Sequence, residues 1–360
     1  MGTDVTELDT GRERPAHGGA PLLEVQDLSV RFTRRGRRDV RAVDGVSFSV
    51  QAGQVVGLVG ESGSGKSVTS LAVMGLLPSR GVQVAGQVRF DGRDLLTMRD
   101  RELSSMRGRD LAMVFQDPMS SLNPVVPVGT QVTEVLRAHT ELDRGAARDE
   151  AEDLVRRVGI PDPRRRLTEY PHQLSGGMRQ RAMIAIALAC KPRLLIADEP
   201  TTALDVTIQA QVLELLKQLV TETGTAMIMI THDLGVVAGL CDQVNVMYSG
   251  RIVETASRTE LFGVPRHRYT QGLLASIPRL DSPRGEKLKP IPGTPRDTIA
   301  WSVKCAFAPR CPHEIEACSS PDLALLPDPE RPAHDIRCAN PAPVAGAEAT
   351  DAGATTKELR

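Results

Sequence analysis

The sequence has almost no net charge and no long apolar run. Its 44 Lys and Arg residues nearly balance 45 Asp and Glu residues, which gives a formal net charge of -1. Such a balance provides no overall attraction to nucleic acid or to an anionic membrane, so we expect no nucleic-acid partner. Because no run of about 18 apolar residues and no apolar signal segment occurs, we expect no membrane span and a cytoplasmic location.

Disulfide frameworks, coiled coils and internal repeats are not indicated either. The chain has six cysteines, and in a reducing compartment we expect no disulfide framework among them. Cys190 and Cys241 are interpreted as small buried hydrophobes, whereas the other four lie between positions 305 and 338. No heptad pattern is found, which argues against a long coiled coil.

The patterns that are present divide the chain into four parts. Residues 1–20 and 341–360 are poor in packing side chains, so we expect disordered tails. Residues 21–270 alternate strand and helix patterns and predict an α/β domain. A mostly helical stretch, about 120–190, predicts a helical subdomain inserted into that domain. Residues 271–340 are proline-rich, contain the four clustered cysteines and predict a small extension.

Two kinds of strand are predicted within residues 21–270. Period-two alternation predicts antiparallel strands in "LLEVQDLSVRF" and "VDGVSFSV". Short apolar runs predict buried parallel strands in "QVVGLVG", "LLIAD" and "AMIMITHD". The segment "ARDEAEDLVRRVGIPD" has helical spacing and ends at Gly159 and Pro161. These patterns predict a parallel α/β sheet accompanied by an antiparallel β subdomain.

A glycine-rich loop gives the strongest chemical signal. The string "GESGSGKS" fits the pattern G-x-x-x-x-G-K-[ST], and it lies between a strand pattern and a helix pattern, unlike an ordinary Gly/Ser turn. In such a loop the backbone N–H groups surround a phosphate, Lys66 reaches the β- and γ-phosphates, and Ser67 binds magnesium. The predicted phosphate-binding residues are Gly60, Glu61, Ser62, Gly63, Ser64, Gly65, Lys66, Ser67 and Val68.

A pair of carboxylates follows a buried strand pattern. The string "LLIADEP" ends its apolar run at Asp198 and Glu199. Alone, this ending is typical of a strand that meets solvent. Together with the phosphate-binding loop, it predicts that Asp198 lies near the magnesium ion and that Glu199 orients or deprotonates an attacking water.

The string "LSGGMRQR" forms a second glycine-rich loop. Alone, Ser-Gly-Gly before a helix is typical of a flexible N-cap. Together with the other motifs, it resembles the signature loop of ATP-binding cassette (ABC) transporter subunits. The resemblance implies that Ser175, Gly176 and Gly177 approach the γ-phosphate of ATP held by an opposite subunit, so that two chains enclose two ATP molecules. Met178 replaces the glutamine often found in the family and leaves the three backbone amides unchanged.

Four further ABC elements follow in the family's order, although each residue alone has an ordinary structural interpretation. The resemblance implies that Gln116, in "MVFQDP", contacts magnesium and water and borders the membrane subunits. It implies that Asp205, in "TALD", lies across the dimer interface, and that His232, in "ITHD", bonds a γ-phosphate and holds Glu199. Phe32, in "VRF", is implied to stack on adenine.

The implied fold is an α/β P-loop NTPase core of the ABC type. It carries the antiparallel β subdomain, the inserted helical subdomain and the small Cys-rich C-terminal extension. The implied ligands are ATP and Mg²⁺, the metal ligands being Ser67, Gln116 and Asp198. A DNA- or ribosome-directed ABC ATPase is the rival class, but such proteins usually carry a coiled-coil insertion or two tandem cassettes; a nucleotide kinase has no use for a signature loop.

Segments outside these motifs indicate the cargo. The strings "FQDPMSSLNP", "PRHRYTQGLLASIP" and "CAFAPRCP" resemble the ATPase subunits of dipeptide, oligopeptide and nickel importers. The resemblance implies an ATP-hydrolysing motor subunit, for peptides in the first interpretation and for nickel or another small solute in the second. The implied partners are a second ABC ATPase subunit, identical or homologous, two transmembrane permease subunits and a solute-binding protein. We therefore expect a peripheral protein on the cytoplasmic face of the membrane.

The cysteine cluster is a candidate metal site. Its members are Cys305, Cys311, Cys318 and Cys338, spaced C-x5-C-x6-C-x19-C. The tight cysteine pairs typical of zinc sites are missing, although His313 and His334 are available as ligands. The spacing is compatible with an iron–sulfur cluster, and the resemblance to peptide importers with this extension implies a 4Fe–4S cluster. Zinc and no metal stay open as alternatives. A metal here is expected to hold the short extension together.

Overall fold

The computed structural model describes residues 19–33, 36, 39–202, 204–277, 290–294, 304–320 and 323–344. The two predicted tails lie outside the described residues except at positions 19, 20 and 341–344. Strands among the described residues are β1 (Leu23–Phe32), β2 (Val40–Val50), β3 (Val55–Val59), β4 (Val82–Phe90), β5 (Arg93–Asp94), β6 (Leu111–Val114), β7 (Leu194–Asp198), β8 (Ala226–Thr231), β9 (Gln243–Tyr248), β10 (Arg251–Ser257), β11 (Leu326–Asp328) and β12 (Arg331–Ile336).

Helices lie mainly between these strands. They are α1 (Lys66–Val73), α2 (Asp100–Met106), α3 (Pro118–Ser121), α4 (Val128–His139), α5 (Arg144–Arg157), α6 (Pro163–Arg166), α7 (Gly176–Leu188), α8 (Val206–Thr223), α9 (Leu234–Leu240), α10 (Arg258–Gly263) and α11 (Arg268–Ala275). No helix in the described ranges is both long enough and apolar enough to cross a membrane.

The first sheet is the predicted antiparallel β subdomain. Its strand order is β2-β1-β4-β5. Along β1 the buried positions change from odd to even, from Leu23 and Val25 to Leu28 and Val30. The pairing registers with both neighbours shift between these two pairs, where Asp27 has a φ of 48°. This bulge explains how a sequence with broken alternation keeps one buried face.

The second sheet has the strand order β11-β12-β10-β9-β3-β8-β7-β6. Strands β6, β7, β8, β3 and β9 are parallel, and each residue of β3, β7 and β8 is buried, which confirms the predicted parallel core. Val55 and Val59 face one hydrophobic cluster, and Val56 and Leu58 face the other. The sheet therefore lies between two apolar layers.

Part of the C-terminal extension continues this sheet. Strand β12 pairs antiparallel with β10 through Glu254 and Ile336 and through Thr255 and Asp335, and β11 pairs with β12. The extension thus adds two strands beyond β10 and is joined to the core by backbone hydrogen bonds.

Helices α3 to α7 form the segment between β6 and β7. The predicted helix in this segment is α5, in which Ala147, Ala151, Leu154 and Val155 are buried at helical spacing. Its N-terminus is capped by Asp143, whose carboxylate accepts from the N–H of Ala146 at 2.9 Å. Helix α4 packs against α5, and α7 packs against β6, so these helices adjoin the parallel sheet.

Candidate nucleotide-binding site

One cleft lies at the carboxyl ends of the parallel strands. The phosphate-binding loop follows β3, Gln116 follows β6, Glu199 follows β7, and His232 follows β8. Parallel strands end at the same edge of a sheet, so these distant positions meet there. The cleft has a volume of about 550 Å³ and is lined by Ala42, Gly60, Glu61, Ser62, Gly63, Ser64, Gly65, Lys66, Ser67, Val68, Gln116, Glu199, His232 and Leu273.

The loop's shape depends on glycine at two tightly packed positions. Gly60 has a φ of 151°, and a Cβ atom there would lie 2.2 Å from the carbonyl oxygen of Met247. Gly65 has a φ of 103°, and its Cβ atom would lie 2.5 Å from the carbonyl oxygen of Ala42. Only glycine fits both the backbone angle and the space. Helix α1 begins directly after Gly65, so its positive dipole end meets the cleft.

Lys66 is held inside the loop. Its Nζ donates to the carbonyl oxygens of Gly60 at 2.8 Å and Glu61 at 3.1 Å and to Ser64 Oγ at 3.5 Å. The residue is 4% exposed, and this burial lowers the pKa of Lys66 although nearby carboxylates oppose the effect. A buried ammonium group bonded only to neutral oxygens gains from an anionic ligand.

Ser67 and Asp198 form a contact suited to a hard cation. Ser67 Oγ donates to Asp198 Oδ1 at 3.0 Å. Burial raises the pKa of Asp198, and Glu199 adds to this effect while Ser67 and Lys66 oppose it. A cation favours the charged carboxylate, and hydroxyl and carboxylate oxygens are ligands that Mg²⁺ prefers, so these residues fit the predicted metal.

Glu199 is surrounded by three polar side chains. Its Oε2 accepts from Gln116 Nε2 at 3.0 Å and from Thr202 Oγ1 at 2.8 Å, and His232 Nδ1 lies 3.3 Å from Oε1. The side chain of Glu199 is 13% exposed, and that of His232 is 61% exposed. The backbone of Glu199 has a φ of 44°, and its N–H donates to Ile230 at 2.9 Å. The carboxylate is therefore fixed at the rim of the cleft.

The predicted signature residues do not line this cleft. Ser175 is exposed and caps α7, where its Oγ accepts from the N–H of Met178 at 3.3 Å. A Cβ atom on Gly177 would lie 2.8 Å from Cγ2 of Ile208, so glycine permits close contact between α7 and α8. Asp205 caps α8 and accepts from the N–H of Ile208 at 3.0 Å. Within one chain these residues are helix caps and packing positions.

Phe32 also lies outside the lining of the cleft. It ends β1, pairs with Val40 and Val82, and is half-buried against the β subdomain. The neighbouring strand contributes Ala42 to the cleft. The adenine contact predicted for Phe32 stays a prediction.

Sequence reasoning missed several residues at the site. Thr202 bonds Glu199 from the turn after β7, and Leu273 of α11 lines the cleft. The N–H of Glu61 donates to Tyr269 Oη at 2.8 Å, and Arg310 of the extension forms an ion pair with the Glu61 carboxylate. Thr202 follows the acidic pair by three positions, so its contact with Glu199 could have been predicted from the sequence. Nothing in the sequence connects Tyr269 or Arg310 to the loop.

The four clustered cysteines do not form a metal-ligand set. Burial raises the pKa of Cys305 and raises the pKa of Cys338 to about 11, and the neighbouring thiols contribute to both effects. The N–H of Cys305 donates to the carbonyl oxygen of Cys318 at 3.0 Å. These residues are therefore neighbours. Nevertheless, among the described residues no group of three or more His, Cys, Asp or Glu side chains is arranged to hold a metal ion. His334 Nε2 is engaged with Glu254 at 2.6 Å.

Two family profiles match the chain. The profile described as ABC transporter matches residues 43–202, and the profile described as oligopeptide/dipeptide transporter, C-terminal region, matches residues 253–318. The first range includes the phosphate-binding loop, the signature loop and the acidic pair. The second begins in β10 and includes Arg310.

Curated relatives agree with both matches. The oligopeptide transport ATP-binding protein OppD of Salmonella typhimurium is 49% identical over 316 residues, covering 88% of this chain and 92% of that protein. The dipeptide transport ATP-binding protein DppD of Bacillus subtilis is 52% identical over 320 residues, covering 88% of this chain and 94% of that protein. The resemblance predicted from the motifs is confirmed.

Solved structures confirm the predicted fold. The dimeric, post-hydrolysis structure of the ATP-binding cassette MJ0796 bound to ADP and Pi has a TM-score of 0.59 at 26% identity, covering 66% of this chain and 98% of that one. CbiO1 from Clostridium perfringens, part of the ABC transporter complex cbiONQ, has a TM-score of 0.56 at 28% identity, covering 67% of this chain and 90% of that one.

Proposed function

This chain belongs to the ABC transporter family of oligopeptide and dipeptide transport ATP-binding proteins, and from that premise we propose that it is the ATP-hydrolysing motor subunit of a peptide importer. One observation carries the proposal. The phosphate-binding loop, the Ser67–Asp198 pair and the hydrogen-bonded Glu199 converge on one cleft of about 550 Å³.

The loop and Lys66 bind the phosphates of ATP in this proposal. The backbone N–H groups and the N-terminus of α1 favour negative charge, and Lys66 supplies a cation desolvated in advance. Ser67 and Asp198 would hold Mg²⁺, with Gln116 as the third predicted ligand. When bound, this ion neutralises phosphate charge during phosphoryl transfer.

Glu199 orients the attacking water and accepts its proton. Gln116 and Thr202 hold one carboxylate oxygen, and the other oxygen lies 3.3 Å from Nδ1 of His232. His232 is the more exposed partner and is placed to sense a γ-phosphate at the mouth of the cleft. The resulting arrangement holds the Glu199 carboxylate in position to accept a proton from water.

Two chains are needed to complete each site in this proposal. Ser175, Gly176 and Gly177 open helix α7 on an exposed surface and have no role in their own cleft. Beside Asp205, the apolar side chain of Val206 is 83% exposed. Both features fit a surface that faces a second ATPase subunit, whose loop would hold the ATP. Phe32 is proposed to contact adenine.

The closed dimer is proposed to move two permease subunits. A chain of this kind would act as a peripheral protein at the cytoplasmic face of the membrane, with a solute-binding protein delivering cargo on the other side. The names of the curated relatives favour di- and oligopeptides over the alternative of nickel. Uptake of a labelled tripeptide and of labelled nickel, in cells with and without this chain and its permeases, distinguishes the two cargoes.

Nucleotide-dependent dimerisation tests the proposed motor. We expect a Glu199→Gln variant with Mg²⁺ and ATP to form a dimer in light scattering, alone or with its companion ATPase. Lys66→Ala under the same conditions should stay monomeric. A Glu199→Gln protein that remains monomeric in both settings, despite bound ATP, contradicts the proposal.

The iron–sulfur cluster rests on the family resemblance alone. The described cysteines are close to one another but are not arranged as ligands, so no step of the mechanism depends on a cluster. Protein purified without oxygen tests this prediction. Visible absorption near 400 nm with about four iron atoms per chain would support it, and colourless protein without iron or zinc would support the no-metal alternative.

A further inference from the structure

Arg310 joins the C-terminal extension to the phosphate-binding loop. Its NH1 and NH2 donate to the two carboxylate oxygens of Glu61 at 2.6 and 3.0 Å. This bidentate geometry is among the stronger and more directional side-chain interactions. The side chain of Arg310 is 6% exposed and that of Glu61 is 24% exposed, so the pair differs from the weak ion pairs of open surfaces.

The guanidinium group is itself held firmly. Its Nε donates to the carbonyl oxygen of Pro292 at 2.9 Å. The group lies 5.8 Å from the ring centroid of Tyr248 and 6.0 Å from that of Phe307. Cation–π attraction and burial therefore fix Arg310 before any nucleotide arrives.

Glu61 is also held through its backbone. Its N–H donates to Tyr269 Oη at 2.8 Å, and the ring of Tyr269 contacts that of Tyr248 with centroids 4.7 Å apart. Tyr269 contacts the backbone of Glu61, and Arg310 contacts its side chain. Both of these residues come after the parallel core in the chain. The second residue of the phosphate-binding loop thus depends on segments far along the chain.

The charge of Glu61 needs compensation at this position. Glu61 lines the cleft in which the loop receives phosphates, and its carboxylate has the same sign as those phosphates. A like charge in a partly desolvated site opposes binding. Arg310 neutralises this carboxylate and keeps it paired on the extension's side of the loop.

We propose that Arg310 is a positioning residue for nucleotide binding, which anchors and neutralises Glu61 so that the loop accepts the phosphates of ATP. This inference rests on the function proposed above because it concerns the same site. It makes the extension part of the nucleotide-binding machinery. A change that moves Arg310 away from Glu61 then lowers the affinity for ATP.

A double-mutant cycle tests the inference on the full chain. The affinities of wild type, Arg310→Gln, Glu61→Gln and the double variant for Mg·ATP and Mg·ADP are measured by calorimetry. We expect Arg310→Gln to raise the Kd for Mg·ATP about tenfold, and to affect Mg·ADP less, because the unpaired carboxylate repels the more highly charged ligand more strongly. The double variant should recover most of the affinity, since it lacks the unpaired charge.

Arg337 provides a matched control from the same extension. Its Nε and NH1 donate to the carbonyl oxygens of Ile252 and Leu323, so it ties the extension to β10 without touching the loop. Arg337→Gln should lower the melting temperature and leave the Kd for Mg·ATP within about twofold of wild type. This control separates the effect of a loosened extension from a specific effect on nucleotide affinity.

Results with Arg310→Gln, with wild type or with Arg310→Lys can overturn the inference. If Arg310→Gln binds Mg·ATP within twofold of wild type, the role proposed for Arg310 is wrong and the proposed ATPase function is unaffected. If wild type binds no ATP, both proposals are wrong. Should Arg310→Gln fail to fold, Arg310→Lys takes its place. It keeps the charge but loses the two-point contact, so we expect about a threefold higher Kd, and an unchanged Kd again overturns the inference.

Discussion

At the scale of single residues, the site is organised around Glu199, whose backbone is strained. Glu199 has a φ of 44°, a left-handed conformation that costs a non-glycine residue about 1–2 kcal/mol. Its N–H donates to the carbonyl oxygen of Ile230, and its Oε2 accepts from Gln116 and Thr202. Local strain is thus maintained by hydrogen bonds that direct the carboxylate into the cleft.

Glu199→Gln is expected to separate binding from hydrolysis. The amide keeps the shape of the side chain but accepts no proton from water, so turnover should fall by a factor of about 10² to 10⁴ while the Kd for ATP stays near that of wild type. Steady-state ATPase assays and calorimetry measure the two quantities. Glu222→Gln, which alters an ion pair between Glu222 and Arg157, serves as the control and should keep normal turnover. Normal hydrolysis by Glu199→Gln would contradict the assignment.

Asp198→Asn should stabilise the protein while removing its activity. Burial raises the pKa of Asp198, so the charged carboxylate destabilises the folded state at neutral pH, an effect that disappears as the pH falls below the unfolded value of about 3.8. The variant should therefore melt at a higher temperature than wild type at pH 7 without Mg²⁺. This difference should shrink in acid, and hydrolysis should drop at least about a hundredfold. A lower melting temperature at pH 7 would oppose this account.

Sequence motifs identify functional residues whose surroundings are set by the neighbouring positions in the chain. Lys66, Ser67 and Glu199 fall in this class, because a loop or a strand end alone defines their surroundings. Thr202 is recognisable only once its distance to Glu199 is known. Arg310 lies 249 positions from Glu61, and only the folded chain brings them together.

At the scale of elements, helix N-termini have two different roles. Helix α1 directs its N-terminus into its own cleft, whereas α7 directs its N-terminus to an exposed surface. Both ends carry unpaired N–H groups and a positive partial charge. In the proposed dimer, one end holds a phosphate from within the chain and the other approaches it from the second chain.

Ser175→Ala is expected to affect α7 in two separable ways. Loss of the cap to Met178 should reduce the free energy of unfolding by about 1 kcal/mol. ATP binding by a single chain should be unchanged, while hydrolysis that depends on the dimer should fall. Chemical denaturation, calorimetry and ATPase assays measure these effects.

Asp143→Ala is the matched control for this prediction. It removes the equivalent cap of a different helix, α5, where Asp143 accepts from the N–H of Ala146. A similar loss of stability with normal hydrolysis is expected. Equal ATPase activity in both cap variants would show that Ser175 acts only as a cap.

At the scale of the whole molecule, buried charges join the core to the extension. Glu254 accepts from the N–H groups of Arg266 and His267 at 2.6 and 3.0 Å, and it contacts His334. Arg266 pairs with Asp328 of β11. Because Asp328 is fully buried, removing Arg266 leaves its carboxylate in the interior without a cationic partner. The junction is therefore sensitive to conditions that change these charges.

Acid should weaken this junction through His267. Burial lowers the pKa of His267 to about 4, below the value of about 6.5 in an unfolded chain. As the pH falls between these values the unfolded chain binds a proton first, so stability is lost, by on the order of 3 kcal/mol. His267→Asn, which keeps a cap acceptor for the N–H of Tyr269, should show a smaller loss in denaturation at pH 7, 6 and 5.

A surface histidine provides the comparison for the acid experiment. His172 is exposed beside Tyr170, and His172→Asn should leave the acid dependence as in wild type. If His267→Asn loses stability with the same dependence on pH as wild type, other groups cause the effect.

The overall architecture was predictable where local pattern and tertiary environment agree. The fully buried strands β3, β7 and β8 are apolar except for the last residues of two of them, Asp198 in β7 and Thr231 in β8, and the sequence shows this directly. The pairing of β12 with β10 was not predicted. Strand β12 contains Pro332, His334 and Asp335, so its pattern is neither apolar nor alternating. Its place in the sheet depends on the buried charges beside it.

The two added strands also determine how the large sheet ends. Strand β11, at one border, has three residues, of which Pro327 lacks a backbone N–H donor, and β6, at the other border, has four residues. Short borders with proline are poor templates for the addition of a foreign strand. Backbone pairing between copies through either border of this sheet is therefore discouraged, so a second chain that meets these borders must rely on side chains and bound ligand.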